Sequence, residues 1–391
     1  MSNDVFLVGG VRTPHGRYGG SLRSVRTVTL GAHAAVAALA RAGVPAAAVD
    51  ELILSCCRQA GNGPNPGRQV ALRAGLPEPT PAQTVNMACA SGLKAIALAG
   101  QAIRAGDADL VLVVAAESMS TMPYLAPAAL RWQGVKRGNI TLVDGWQDGG
   151  TDPICGLNMG QTAEKIAREY GVDRVAQDAW AHTSHQRVAA AWAEGRFGDE
   201  VVPVPVGDTT FDVDETFRPH SSLAKLATLP PSFLPDGTVT AGNASQMADG
   251  AAAIVVASAA AVARYGLTPA ARLRSFAAVG VDPTVMGVGP VYAIPRALAA
   301  AGVELSEVDL FEINEAFAAQ IVHNVRELKL PADQVNVNGG GIALGHPTGQ
   351  SGCRIVVSLL HELARRDAAI GVASLCVGGG QGVAAVVERV R

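Results

Sequence analysis

The chain has 391 residues, of which 49% are hydrophobic, 17% charged and 4% aromatic. That length exceeds one small core and implies two or three domains, and a make-up rich in alanine, valine, leucine and glycine suits helices packed on buried sheets rather than a disordered or fibrous protein. With 31 Lys and Arg against 34 Asp and Glu the formal net charge is -3, and no basic stripe marks a nucleic-acid or anionic-membrane binder.

Strand and helix signals alternate along the chain. Residues 5–8 read as a buried strand running into Gly9-Gly10. Residues 30–42 have helical spacing and stop at Gly43. Residues 51–55 and 84–85 read as short strands, with a turn at 86–88 and a helix from about Cys89 to a cap at Gly106. The fully apolar run 110–115 reads as a central parallel strand. From 118 to about 239 prolines, glycines, tryptophans and charges accumulate, interrupted by one amphipathic helix at 174–194, as in a loop-rich insertion. Regular pattern returns at Thr240. Residues 310–313 read as a strand, with a helix opening around Glu315, a further strand at 335–338, a loop at 339–349, a helix and a last strand at 368–375. The order strand, Val-Asn, glycine-rich turn, helix, apolar strand thus occurs near 84–116 and again near 335–375, which suggests two duplicated α/β halves. We expect residues 1–117 with 240–265 to form one half, 118–239 an inserted domain and 266–391 the other half.

The longest uncharged apolar run, 251–263, is too short to span a bilayer. The start lacks a basic region followed by an apolar run, and the end is not a Ser-Lys-Leu address, so a cytoplasmic protein with no membrane insertion is expected. The six cysteines include no C-x-x-C pair, which argues against a zinc site and for free thiols in a reducing compartment. His182 and His185 lie three apart on the 174–194 helix without a third ligand near in sequence, and read as a solvated helix face. The adjacent Cys56 and Cys57 read as packing residues at a strand end.

Ligands of open α/β sheets bind beyond the carboxyl ends of the strands. Cys89, Asn314, His346 and Cys376 all fall there. Cys89, at a helix start where free N–H groups lower a thiol pKa, reads either as an acyl-accepting nucleophile or as an inert buried cysteine. His346, between Gly345 and Pro347 in a loop carrying six glycines between 339 and 352, reads as a general base or as a loop histidine bonded to backbone. Asn314 reads as a helix N-cap or as an amide holding a water or a carbonyl oxygen. The glycines after Cys376 could aim N–H groups at an oxyanion or a phosphate, but no Gly-Lys-Ser/Thr and no G-x-G-x-x-G in the first βα turn supports nucleotide binding.

Six segments together carry a resemblance to the thiolases over essentially the whole chain: Asn86-Met87-Ala88-Cys89-Ala90-Ser91-Gly92, Glu117-Ser118-Met119-Ser120, the run 237–245, Asn314-Glu315-Ala316-Phe317-Ala318, Gly345-His346-Pro347 and Cys376-Val377-Gly378-Gly379-Gly380. The resemblance implies duplicated α/β halves of layered helices and mixed sheets, an inserted loop domain covering coenzyme A, and CoA-dependent cleavage or formation of 3-ketoacyl-CoA. It implies Cys89 as the acylated nucleophile, His346 as its base, and a water on Asn314 sharing one oxyanion site with His346. Cys376 would move the carbon-bound proton, with the N–H groups of Cys89 and Gly378 as the second oxyanion site. Ser245 would follow the pantetheine arm, and Met159, Ala316 and Phe317 would line the pocket. Arg218 reads either as a contact to a CoA phosphate or as an ordinary surface arginine. No permanently bound cofactor and no metal are implied, coenzyme A being a substrate; the partners are acetyl-CoA and 3-ketoacyl-CoA, and the assembly a homodimer or homotetramer. Asn158, Thr348, Gln350 and Gly341 depart from the usual pattern, with Asn158 expected to face the pocket.

Two other classes compete. Cys89, His346 and Asn314 also form a Cys-His-Asn set, as in thiol hydrolases and decarboxylating ketoacyl synthases, where Cys376 would have no role. A non-catalytic acyl-CoA or lipid scaffold would have lost one of the four residues. Reference pKa values of about 6.5 and 8.5 for His346 and Cys89 imply that activity fails in acid.

Overall fold

Along residues 110–116 the side chains alternate between two buried faces. Val111, Val113 and Ala115 enter one apolar cluster, and Leu110, Leu112, Val114 and Ala116 another. A strand buried on both sides needs helices on both sides, and that requirement organises the computed structural model of the chain, which describes residues 4–390.

The first half is built from β1 (Val5–Arg12), α1 (Thr27–Ala42), β2 (Glu51–Ser55), α2 (Pro66–Arg73), β3 (Ala82–Val85), α3 (Ser91–Ala105) and β4 (Leu110–Ser118). The insertion carries α4 (Met159–Glu169) and α5 (Arg174–Ala193), and β5 (Ala248–Ser258) then returns to the sheet. The second half consists of β6 (Ala271–Gly280), α6 (Gly289–Ala301), β7 (Leu310–Ile313), α7 (Ala318–Glu327), α8 (Thr348–Arg365), β8 (Ile370–Val377) and β9 (Gln381–Arg389).

These strands form one sheet in the order β7-β8-β9-β6-β1-β5-β4-β2-β3. Read outward from the antiparallel β1–β6 junction, each half repeats the same path. β5 pairs β1 and β9 pairs β6, both antiparallel; β4 pairs β5 and β8 pairs β9, both antiparallel; β2 pairs β4 and β7 pairs β8, both parallel. β3 then adds in parallel to β2. The fold is therefore the duplicated α/β arrangement expected from the sequence.

The strand expected at 335–338 does not form. Val335 makes a single parallel bridge to Phe311, and Asn336 turns into the left-handed region at φ 48°. The Asn336 side chain then replaces the ladder: its Oδ1 accepts from Ile313 N and its Nδ2 donates to Ile313 O, both at 2.8 Å. Asparagine tolerates this conformation because its short amide satisfies nearby backbone groups. Other boundaries move by a few residues. β1 continues through Gly9-Gly10, the helix after Cys89 begins only at Ser91, and β8 runs through Cys376. The helix placed around Glu315 starts at Ala318, so Asn314 is not its N-cap; Phe317 is. The insertion holds a helix the sequence reading missed, α4, closed by a capping box between Asn158 and Gln161.

Three apolar clusters give the layers. α1 and α2 cover the outer face of the first half, α6 covers the outer face of the second, and α3 and α8 lie together against the inner faces of both. The insertion is fastened to the first half by Arg12 at the end of β1, whose buried guanidinium pairs with Glu200 at 2.6 Å and Asp214 at 2.7 Å. Among the described residues no helix is long and apolar enough to cross a membrane.

α3 and α8 touch backbone to backbone. A Cβ on Gly92 would lie 2.5 Å from Cys353 N, and a Cβ on Gly352 would overlap Leu93 N. Glycine in a helix ordinarily costs about 1 kcal/mol against alanine, so Gly352→Ala in an indifferent helix would stabilise. Here it is expected to destabilise by roughly 1–3 kcal/mol or more, because neither backbone can withdraw. Urea unfolding of Gly92→Ala and Gly352→Ala checks this; a midpoint unchanged or raised in both would remove the helix contact as a constraint.

Candidate active site

By the internal repeat, the loop from β3 to α3, which carries Cys89, corresponds to the loop from Val335 to α8, which carries His346. Close contact of α3 with α8 near their N-termini therefore brings the two loops together. On the Cys89 side, Ala88 is held at φ 45°, a conformation a side chain adopts only under constraint. The constraint is a set of hydrogen bonds: Asn86 Oδ1 accepts from Ala88 N at 2.9 Å, while Ala88 O accepts from Ser91 Oγ at 2.6 Å and from Cys57 Sγ at 2.8 Å. Cys57 is thus a brace under the turn, beyond the packing role expected of it.

Burial pushes the Cys89 thiol pKa up; Arg58 and the N–H groups of Gly378 and Cys89 pull it down without prevailing. The expected lowering by the helix start fails because the helix begins two residues later and desolvation outweighs it. Cys376, 1% exposed near the end of β8, has its thiol pushed well up by burial and then by Cys89. Both cysteines therefore rest as thiols.

His346 is 7% exposed. Its Nδ1 lies 2.6 Å from Ser351 Oγ, and that hydroxyl is 3.1 Å from Pro347 O. With the serine proton directed at the carbonyl, Nδ1 carries the ring proton and Nε2 keeps its lone pair. Asn314 Nδ2 is 3.4 Å from that Nε2, and the buried Asn314 Oδ1 has no partner. Burial first, then Arg354, His15 and Arg58, lower the His346 pKa to about 3. The imidazole is neutral across the workable range, so an acid loss of activity near pH 6.5 from His346 is not expected, contrary to the sequence reading.

Glu117, at the end of β4, joins the two loops. Its Oε2 accepts from Cys57 N at 3.0 Å, Gly349 N at 2.9 Å and Thr348 Oγ1 at 3.1 Å, and its Oε1 accepts from Arg58 N at 3.0 Å. Sequence reasoning assigned Glu117 and Ser351 no role; a carboxylate closing a wholly apolar strand was the available signal for Glu117.

The remaining candidates fall into two places. Met159, Ala316, Phe317 and Cys376 share one apolar cluster with Phe233 and Met286. Ser245 borders it, its N donating to Ala316 O at 3.0 Å, and Gly378 lies against Met159, where a Cβ would sit 3.2 Å from the sulfur. Arg218 is exposed beside Gln246, its backbone N bonded to His185 Nδ1 at 3.1 Å. Asn158, expected to face the pocket, uses its side-chain oxygen to cap α4 by accepting from Gln161 N at 2.9 Å.

This geometry can be set beside known proteins. The family description "Thiolase, N-terminal domain" matches residues 5–260 and "Thiolase, C-terminal domain" residues 267–389. An acetyl-CoA acetyltransferase of Pseudomonas aeruginosa is 48% identical over 99% of both chains, and one of Cupriavidus necator 49% identical over 99% of both. Among solved structures, human mitochondrial 3-ketoacyl-CoA thiolase in complex with CoA superposes with a TM-score of 0.97 at 43% identity, over 99% of this chain and 98% of that one. The acetyl-CoA acetyltransferase of Syntrophomonas wolfei gives 0.97 at 44% identity over 100% of both.

Two outcomes follow from the geometry. Ser351→Ala should lower kcat about tenfold, the worth of one hydrogen bond of ~1–1.5 kcal/mol, with little change in KM; an unchanged kcat would mean that Ser351 does not fix the tautomer. His15 and His185 are also lowered by burial, each to about 4. An unfolded chain protonates these three histidines near pH 6.5 while the folded one does not, so stability present above that pH is lost as pH falls toward 4. Glu312, raised to about 8 by burial, opposes as one group against three. A net loss on the order of 2–3 kcal/mol per pH unit is expected between about 6.5 and 4.5. Equal urea midpoints at pH 7.5 and pH 5 would contradict it.

Proposed function

The chain belongs to the thiolase family, and from that premise we propose how its residues divide the work of an acyltransferase that cleaves or forms 3-ketoacyl-CoA with coenzyme A as substrate. In cleavage, His346 Nε2 takes the Cys89 proton and the sulfur attacks the 3-keto carbonyl. The bond between C2 and C3 breaks, Cys376 delivers its proton to C2, and acetyl-CoA leaves. Coenzyme A then gives its thiol proton to the Cys376 thiolate and takes the acyl group, and the departing Cys89 sulfur recovers its proton from His346. In the opposite direction two acetyl-CoA molecules give acetoacetyl-CoA and free coenzyme A.

The observation that supports this reading is a pair of protonated thiols that act on one another, Cys89 and the Cys376 of the apolar cluster, together with a neutral imidazole whose free nitrogen faces the Asn314 amide. A neutral resting site fits the chemistry, because each step moves a proton at the moment charge develops. Two carbonyls gain negative charge in turn, and two donor sets are available. Gly378 N–H and Cys89 N–H both favour negative charge on the Cys89 sulfur. Asn314, whose Oδ1 has no partner and whose Nδ2 is 3.4 Å from His346 Nε2, would hold a water beside the imidazole. Each such donor contributes roughly 3 kcal/mol to lowering a barrier. Ser245, Met159, Ala316 and Phe317 would hold the pantetheine arm and the acyl group, and Arg218 a CoA phosphate.

We propose acetoacetyl-CoA as the basic substrate, in keeping with the names of the relatives, with longer 3-ketoacyl chains as the second reading. Residues 118–239 would cover CoA. A homodimer or homotetramer would cover the apolar side chains that this segment exposes, among them Tyr124 at 68% and Trp132 at 82%. The setting we propose is cytoplasmic.

CoA-dependent cleavage of acetoacetyl-CoA by the purified protein is the test. Wild type is expected to cleave it, and Cys376→Ala to lose at least a thousandfold while acetyl-CoA still acylates Cys89. Full thiolysis by Cys376→Ala would remove the second cysteine from the mechanism and favour hydrolase-like Cys-His-Asn chemistry.

A further inference from the structure

Arg58 brings an unpaired charge to the edge of this site. Its backbone is fixed by Glu117, and the preceding Cys57 is fixed on both sides, its N donating to Glu117 at 3.0 Å and its O accepting from Asn86 Nδ2 at 3.1 Å. The guanidinium leans over the Trp146 ring, its carbon 5.5 Å from the centroid, and packs on Gly149, where a Cβ would overlap Nη1. Glycine at 149 thus leaves room for the arginine head. Arg58 Nε is buried and has no hydrogen-bond partner, and among the described residues no carboxylate pairs with Arg58.

A half-buried cation without an anion is unfavourable unless a ligand supplies one. The surroundings say where that ligand lies. The segment carrying Trp146 and Gly149 continues to Asp152, whose Oδ2 accepts from Gly379 N at 3.0 Å, and then to Met159 beside Gly378. One strap therefore runs from Arg58 to the Cys376 loop across the site. The guanidinium also acts on both Cys89 and His346, disfavouring a proton on each. Arg218, the group proposed for a CoA phosphate, is by contrast exposed at the surface.

We propose that Arg58 reads the far end of the acyl chain, binding a terminal carboxylate, so that the preferred substrate is a short 3-ketoacyl-CoA ending in a carboxylate. Guanidinium and carboxylate match in a two-pronged pair, which gives geometric selection as well as charge. The inference rests on the thiolase reading and narrows its substrate class.

The experiment compares kcat/KM for 3-ketoadipyl-CoA and 3-ketohexanoyl-CoA, which have equal carbon number and differ in ending in a carboxylate or a methyl, with acetoacetyl-CoA assayed in the same preparation. Wild type should favour the carboxylate at least tenfold. Arg58→Met should reduce that ratio ten- to a hundredfold, as loss of a hydrogen bond to a charged group does, and Arg58→Lys should restore part of it. Arg58→Gln carries the same expectation should the methionine variant fold poorly. A wild-type ratio at or below one overturns the inference, as does an equal fall for both substrates, which would place Arg58 with Cys89 activation or CoA binding. Wild type that cleaves acetoacetyl-CoA but ignores the carboxylate overturns the inference alone. Wild type that cleaves nothing overturns the thiolase reading and the inference with it.

Discussion

Gly92 and Gly352 meet where α3 and α8 cross, and the absence of two side chains there is the constraint on which the site depends. The helices belong to different halves of the duplicated fold, and each is preceded by a loop bearing one reactive residue. Backbone contact at the crossing sets the distance between those loops more tightly than side-chain packing could, because neither main chain can give way. Glu117 and Ser55 then lock the arrangement. Glu117 bonds to the loop after β2 and to the first turn of α8, and Ser55 Oγ donates to Gly349 O.

Duplication also explains how one sheet edge collects such different chemistry. Cys89 and His346 occupy matching loops of the two halves. Cys57 and Asn314 follow matching strands, β2 and β7, and Glu117 and Cys376 lie near the ends of the matching strands β4 and β8. In each pair the proposed mechanism gives one member a supporting place and the other a reacting one, except for Cys89 and His346, which both react in it. The second half gave up its outermost strand where Asn336 turns left-handed. The Asn336 amide reaches Glu315 Oε1 at 3.0 Å, which in turn accepts from Trp180 Nε1 at 2.9 Å in α5. The lost strand thus becomes an attachment point for the inserted segment.

The legible parts of the sequence were those that report local physics. The fully apolar run 110–115 declares a buried strand, and Gly43 and Gly106 end helices as left-handed caps. The motif segments singled out Cys89, Asn314, His346 and Cys376, the residues to which the proposed mechanism assigns the chemistry. What stayed hidden depended on partners distant in the chain. Glu117 bonds to residues some 60 positions before it and more than 230 after it. Arg58 gains meaning only from Trp146 and Gly149. The protonation of Cys89 was misread because a helix terminus is visible in sequence and desolvation is not; burial reverses the sign of the shift. Val335–Asn338 looked like a strand by composition, and the override came from one side chain bonding both backbone groups of Ile313.

The central claim is that Cys89 alone carries the acyl group while Cys376 handles only a proton. Mapping the label after brief exposure to radioactive acetyl-CoA, by proteolysis under acidic conditions that preserve thioesters, tests it directly. The account predicts acetyl on the peptide containing Cys89, stoichiometric with released CoA and discharged when CoA is added back. Acetyl on Cys376, or CoA release with no label on either cysteine, would contradict it.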